Sequence, residues 1–232
     1  MIADGGLATI IHQITIWALP VIFAVTLHEA AHGFVALRFG DDTALRAGRV
    51  SLNPLNHIDP FGTLILPLLL LATRTGFLFG YAKPVPVNFG RLKPIRAGMI
   101  LVALAGPATN VVLAIVSALL AYGLHFLPVQ AALWARENLQ NSIELNVVLC
   151  VFNMLPLPPL DGGRVLVGIL PRSLARPVAS IEPYGMAILM GLFLVSYIGV
   201  RMGLGFSLLG VLIGEPADAL FRFVLAVTGH SG

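Results

Sequence analysis

The chain has 232 residues, of which 57% are hydrophobic and 11% charged, with a net charge of +3 and a single cysteine. Soluble domains carry about 25% charged residues, and a chain of this size leaves roughly a third of its unfolded surface exposed after folding. That much apolar surface does not fit a water-soluble core, so the composition, with a mean hydropathy of +0.91, excludes a soluble protein, a disordered protein and a nucleic-acid binder, and names the bilayer as solvent.

A spanning helix needs about 20 mostly apolar residues. In chain order, Gly5 to Leu27, Met99 to Ala121 and Leu145 to Leu160 contain no Asp, Glu, Lys or Arg. Pro183 to Val200 is a fourth such run, and Met202 to Gly214, extended toward Val227, is a fifth and weaker one. The first run has no basic leader and continues its pattern to Phe39, unlike a cleaved signal peptide. Pro60 to Thr73 is shorter and carries Pro67, which suits a re-entrant segment. Tyr81 to Asn88 should be extended, because its prolines disfavour helix at the residues before them. If Pro60 to Thr73 dips and returns, 12 of the 14 basic residues lie on one side of the membrane, which sets the N-terminus outside and the C-terminus in the cytoplasm. The fold expected is all-α and polytopic: about five transmembrane helices plus a re-entrant or extended segment, in one domain over residues 1–232. A catalytic core covers about 7–172 and C-terminal helices about 183–228.

The chemistry begins in the first span, at His28-Glu29-Ala30-Ala31-His32. Residues four apart share a helix face, so His28 and His32 can hold one metal ion, with Glu29 as general base toward water. An HExxH pattern also arises by chance. Three ionisable groups within one apolar segment are costly, however, and need a shared reason; a zinc ion supplies it. His28 lies ten residues before Arg38, up to ~15 Å below the surface, so water must reach it through a polar cavity. A catalytic zinc site takes three protein ligands and an open position. Asp161, after the prolines of Asn153-Met-Leu-Pro-Leu-Pro-Pro-Leu-Asp161-Gly162-Gly163, is the candidate third ligand, with a helix N-cap as its alternative.

HEAAH in the first apolar segment and LDGG in a later one resemble the site-2 protease family of intramembrane zinc metalloproteases. Ser51 to Gly62 (SLNPLNHIDPFG), Ala82 to Asn88 (AKPVPVN) and Ala105 to Asn110 (AGPATN) reinforce the likeness, which covers about Leu27 to Arg164 in the family's order. The resemblance implies a three-helix core around one catalytic Zn2+, with His28, His32 and Asp161 as ligands and Glu29 as base. It implies contact of Asn153 with substrate backbone or the oxyanion, and an active enzyme. It also implies a transmembrane protein substrate, cleaved within or beside its membrane helix. The chain has no room for a PDZ or CBS domain, so it looks like the compact form, and its short loops suit a prokaryotic inner membrane.

Competing readings are a membrane zinc transporter or carrier, and a prenyl-protein type of protease with a glutamate as third ligand. For the latter, Glu137, Glu144, Glu182 and Glu215 are the candidates, and none sits in a partner motif. His57 and Asp59 are read as loop capping rather than a second metal site, and Asn110 as a helix-to-helix hydrogen bond. His12 and His125 read as interfacial side chains, His230 as part of the tail, and Cys150 as an inert buried thiol.

Overall fold

The computed structural model describes residues 7–57, 83–202 and 207–230. All regular elements among them are helical, with no strand. The first apolar run forms α1 (Leu7–Arg38), and Pro20 is accommodated inside it. The helix ends at Gly40, whose φ of +93° is a left-handed conformation that glycine adopts without penalty. The Gly40 N–H bonds the Leu37 carbonyl and the Asp41 N–H the Ala36 carbonyl, which satisfies the last carbonyls of the helix. A short α2 (Thr43–Arg46) follows.

Residues 83–88 run without helix, as expected of their prolines. A single turn over Phe89–Arg91 is capped by the Asn88 side chain and leads into α3 (Ile95–Ala121). Next come α4 (Val129–Asn153) and α5 (Asp161–Ile169), then α6 (Arg172–Ala179), α7 (Gly185–Arg201) and α8 (Glu215–Val227). The expected re-entrant segment Pro60 to Thr73 lies outside the described residues, as do Tyr81 and Ala82.

Helix α3 is the centre of the assembly, packing against α1, α4 and α5. Its buried face consists of small residues, among them Gly98, Ala103, Gly106, Ala114 and Ala118, which let helix backbones approach closely. Ala114 and Ala118 meet Ile143 and Val147 of α4 and Ala217 and Val224 of α8 in one core cluster. Ala36, Leu92 and Val102 form a second, beneath Val87 and Phe89. The register is antiparallel between α1 and α3, where His28 meets Asn110 and His32 meets Val102, and parallel between α1 and α4, where His12 meets Glu137 and Ile16 meets Asn141. Large apolar side chains such as Phe23, Leu101, Leu120 and Val195 point outward and are about half exposed, as helices in lipid require.

Among the described residues, three stretches are long and apolar enough to cross a bilayer: Ile11–Arg38, Ile95–Phe126 and Arg172–Arg201. These correspond to the first, second and fourth expected runs. The third differs. Its helix begins at Val129, not Leu145, and stops at Asn153. The charge-free run is bounded by Glu144, but the polar residues of α4 find partners across the bundle: Asn141 donates to the Ile16 carbonyl and Asn146 accepts from Asn110. Of the fifth run, Met202 to Gly214, residues 203–206 lie outside the described residues and Gly210–Gly214 form a π-helical turn; its extension gives α8, 13 residues long with Pro216 in its first turn. The end of α8 does not return to the Arg38 end as expected, because the Thr228 carbonyl accepts from the Tyr122 hydroxyl just past α3.

Candidate metal centre

The HEAAH helix turns its histidine face inward. His28 and His32 are 7% and 8% exposed. Asp161 reaches them as the first residue of α5. Between α4 and α5 the chain turns through 154–160, where Pro156, Pro158 and Pro159 prevent a regular helix. It then needs Gly162 and Gly163, because a Cβ there would run into the backbone of Met154 or of Leu157 and Pro158. No side chain caps the start of α5, so the N-cap alternative for Asp161 does not hold. Its carboxylate faces the two imidazoles instead.

His28 Nε2 lies 3.1 Å from His32 Nε2. Asp161 Oδ2 lies 3.3 Å from His28 Nε2 and 3.4 Å from His32 Nε2. Two ligands of a tetrahedral zinc ion, each about 2.0–2.1 Å from the metal, stand about 3.3–3.4 Å apart, so the triangle fits that ion. The chemistry of the donors agrees. The Nδ1 of His32 is 2.7 Å from the Val102 carbonyl, an acceptor, so this nitrogen is the donor. The Nδ1 of His28 is 2.6 Å from the side-chain oxygen of Asn110. Each Nε2 therefore presents a lone pair. Asp161 Oδ2 is buried and makes no hydrogen bond. Two imidazole nitrogens and a carboxylate oxygen converging on one point are a donor set that a metal cation would satisfy at once. Among the described residues this is the one group of three such side chains placed to hold a metal.

The centre opens onto a cavity of about 200 Å³ whose wall includes Glu29, Val85, Asn153 and Arg164. Glu29 accepts a hydrogen bond of 2.7 Å from the Val85 N–H, which ties the extended segment across the carboxylate. Asn153 directs one amide N–H to the Leu149 carbonyl of its own helix, at 3.0 Å, and retains a second. Arg164 stands at the wall with its guanidinium 4.6 Å from the centre of the Phe89 ring and 2.9 Å from Glu182.

The remaining candidates among the described residues do not reach the centre. The buried His57 ring meets the Ser51 carbonyl at 2.9 Å, the loop-tying role expected of it, while Asp59 lies outside the described residues. Glu137 pairs with His12 at 2.8 Å, Glu144 accepts from Gln140 and Glu182 pairs with Arg164. Two contributors escape sequence reasoning. Gly106 abuts the centre so closely that a Cβ would lie 2.5 Å from both Nε2 atoms, although the Ala105 to Asn110 motif marked its neighbourhood. Asn146 carried no signal within its apolar run.

Over 214 residues the chain is 36% identical to a Bacillus subtilis (strain 168) protein named "Putative zinc metalloprotease YwhC", and the match covers 90% of each chain. The chain belongs to the site-2-protease-like zinc metalloproteases, the family of YwhC and Rip2. Rip2 of Mycobacterium tuberculosis (strain H37Rv) bears the same description and is 35% identical over 173 residues, 75% of this chain and 64% of that one. MJ0611 of Methanocaldococcus jannaschii, also so described, is 34% identical over 139 residues, 60% of this chain and 62% of its own. No protein-family profile matches, and no solved structure matches. Membership in this metalloprotease family accords with the candidate metal site at His28, His32 and Asp161.

Proposed function

We propose that the chain is an intramembrane zinc metalloendopeptidase that hydrolyses a peptide bond within or beside a transmembrane segment of a membrane-protein substrate. The observation that carries this reading is the convergence of His28, His32 and Asp161 at 3.1–3.4 Å with Glu29 on the wall of the same cavity. His28, His32 and Asp161 hold one zinc ion. Bound there, zinc supplies a Lewis acid for the scissile carbonyl and lowers the pKa of water toward about 7. Glu29, held by the Val85 N–H, takes the proton of the attacking water and delivers it to the leaving amine. The free amide N–H of Asn153 stabilises the oxyanion. A helical substrate must first unwind, and residues 83–88 offer backbone groups that pair with the freed strand.

The chain forms one domain in which α1, α3 and α4 are the catalytic core and α7 is a further span. Its N-terminus lies outside, and its C-terminus lies on the same side, because the Thr228 carbonyl accepts from the Tyr122 hydroxyl just past the outer end of α3. Charge placement supports this orientation, since the end of the bundle holding Arg38, Arg91, Arg96, Arg164 and Arg172 carries most of the cations. A zinc carrier would need further ligands along a path, and the described residues offer no second cluster.

The deciding experiment uses purified chain with tagged single-span membrane proteins in liposomes. Glu29→Gln is expected to retain zinc and to cut about 10²–10⁴-fold more slowly. Unimpaired cutting by Glu29→Gln, or a wild type that takes up no zinc, overturns the proposal.

A further inference from the structure

We infer that Asn110 and Asn146 form a buried amide relay that positions His28 as a metal ligand by fixing which of its ring nitrogens carries the proton. The inference rests on the reading of His28, His32 and Asp161 as the ligands.

The direction of the relay follows from its far end. Asn146 Nδ2 is 2.8 Å from the Ser142 main-chain carbonyl, which only accepts, so the amide nitrogen of Asn146 points there and its oxygen points away. That oxygen is 2.8 Å from Asn110 Nδ2. Asn110 must therefore donate to Asn146 and turn its own oxygen toward His28 Nδ1, 2.6 Å away. An amide oxygen accepts only, so His28 Nδ1 carries the proton and Nε2 keeps its lone pair for the metal. Asn110 and Asn146 are 0% and 1% exposed, so water does not compete for these bonds. Ser142 and Ser117 close the chain, with their hydroxyl oxygens 2.8 Å apart.

The two ligand histidines are thus held by different means. His32 is fixed by the Val102 carbonyl, which no side-chain substitution removes. His28 depends on two side chains from two other helices, α3 and α4. The bonded nitrogen of a ligand histidine sets ring orientation and ligand basicity, and loss of its partner typically weakens metal binding 10–100-fold. Asn110 was expected to bridge helices; it does so, and the same amide orients the ligand.

The test is a zinc titration against a competing chelator on the full chain in detergent, paired with nitrogen-15 NMR of the histidine rings. The NMR is done on metal-stripped protein at alkaline pH, where neutral imidazoles report their tautomer, and His28 is assigned through His28→Gln. Wild-type His28 should be the Nδ1–H tautomer. Asn110→Ala should weaken zinc about 10–100-fold and leave His28 a mixture of tautomers, while His32 keeps one. Asn110→Asp restores an acceptor to His28 while removing the donor to Asn146, so it should recover the Nδ1–H tautomer, which a merely structural loss would not allow. Asn146→Ala touches neither His28 nor the cavity and should give an intermediate loss. Wild-type affinity and a single Nδ1–H tautomer in Asn110→Ala overturn the relay, as does an Asn110→Asp whose His28 is as mixed in tautomer as that of Asn110→Ala. If Asn110→Ala does not fold, unchanged tautomer and affinity in Asn146→Ala overturn it. A wild type that binds no zinc refutes the ligand assignment, while the tautomer measurement still decides the relay.

Discussion

Gly106 and Asp161 act on the same small volume from opposite sides. A methyl group at Gly106 would sit 2.5 Å from both ligand nitrogens, well inside any non-bonded contact, and α3 cannot retreat without opening its packing against α1 and α4. Gly106→Ala is therefore expected to lose zinc while keeping its helix content, as read by metal analysis and circular dichroism. Zinc retained in full would mean that the imidazoles can turn aside. Asp161→Ala removes the sole carboxylate of the cluster and is expected to abolish stoichiometric zinc. Unchanged metal content there would move the third ligand elsewhere. Of these residues, the HEAAH histidines are legible from spacing alone, since i and i+4 share a helix face. Asp161 is a candidate from its place after three prolines and becomes convincing only when the fold brings it within 3.4 Å of the rings.

At the scale of elements, the segment from Lys83 to Arg91 is held by acidic side chains at both its inner and outer ends. Asp41, fully buried, accepts from the Asn88 N–H at 2.6 Å and from Thr43. Asp41→Ala removes the buried acceptor of three hydrogen bonds from Asn88 and Thr43, at a cost of about 1–3 kcal/mol. The expected outcome is a lower thermal midpoint in detergent and faster proteolysis within 83–92; an unchanged midpoint would show that water reaches these donors. Asp42 binds Arg46 and Arg91. Partial desolvation raises its carboxyl, but the two guanidiniums outweigh it and hold the group below the usual carboxylate range. A depressed folded value contributes stability above the unfolded pKa that fades as pH falls through the folded one. Wild type should therefore lose its advantage over Asp42→Asn on acidification, and parallel melting curves across the acidic range would contradict this. Val85→Pro deletes the N–H that binds Glu29 and should slow cleavage through that carboxylate, while cleavage at the wild-type rate in Val87→Pro, which removes a backbone donor from the segment, would exclude residues 83–88 as a docking strand for substrate. The prolines announced an extended segment. They carried no information about which carboxylates would hold it, because those partners lie 47 and 56 residues away in sequence.

The whole molecule is a bundle whose cations gather at one end. With Cys150 replaced by serine, a cysteine at Ser173 is expected to react with impermeant reagent only from the cytoplasmic side, and one at Gln130 only from outside. Both positions are exposed, so the reversed pattern would invert the orientation. Composition, charge placement and the HEAAH spacing determined by themselves that the chain lives in a membrane, that its helices run where apolar runs permit, and that two histidines share a face. These are properties of local period and of transfer free energy, which a linear text carries. Only the tertiary structure decided that α4 begins at Val129, that Asp161 faces the histidines rather than capping its own helix, and that Asn146 reaches His28 through Asn110. Each depends on a polar group whose partner belongs to another helix. Burial makes such pairs compulsory, since an unpaired amide in the interior costs several times what it costs in water, but it leaves no mark on the spacing of residues along the chain.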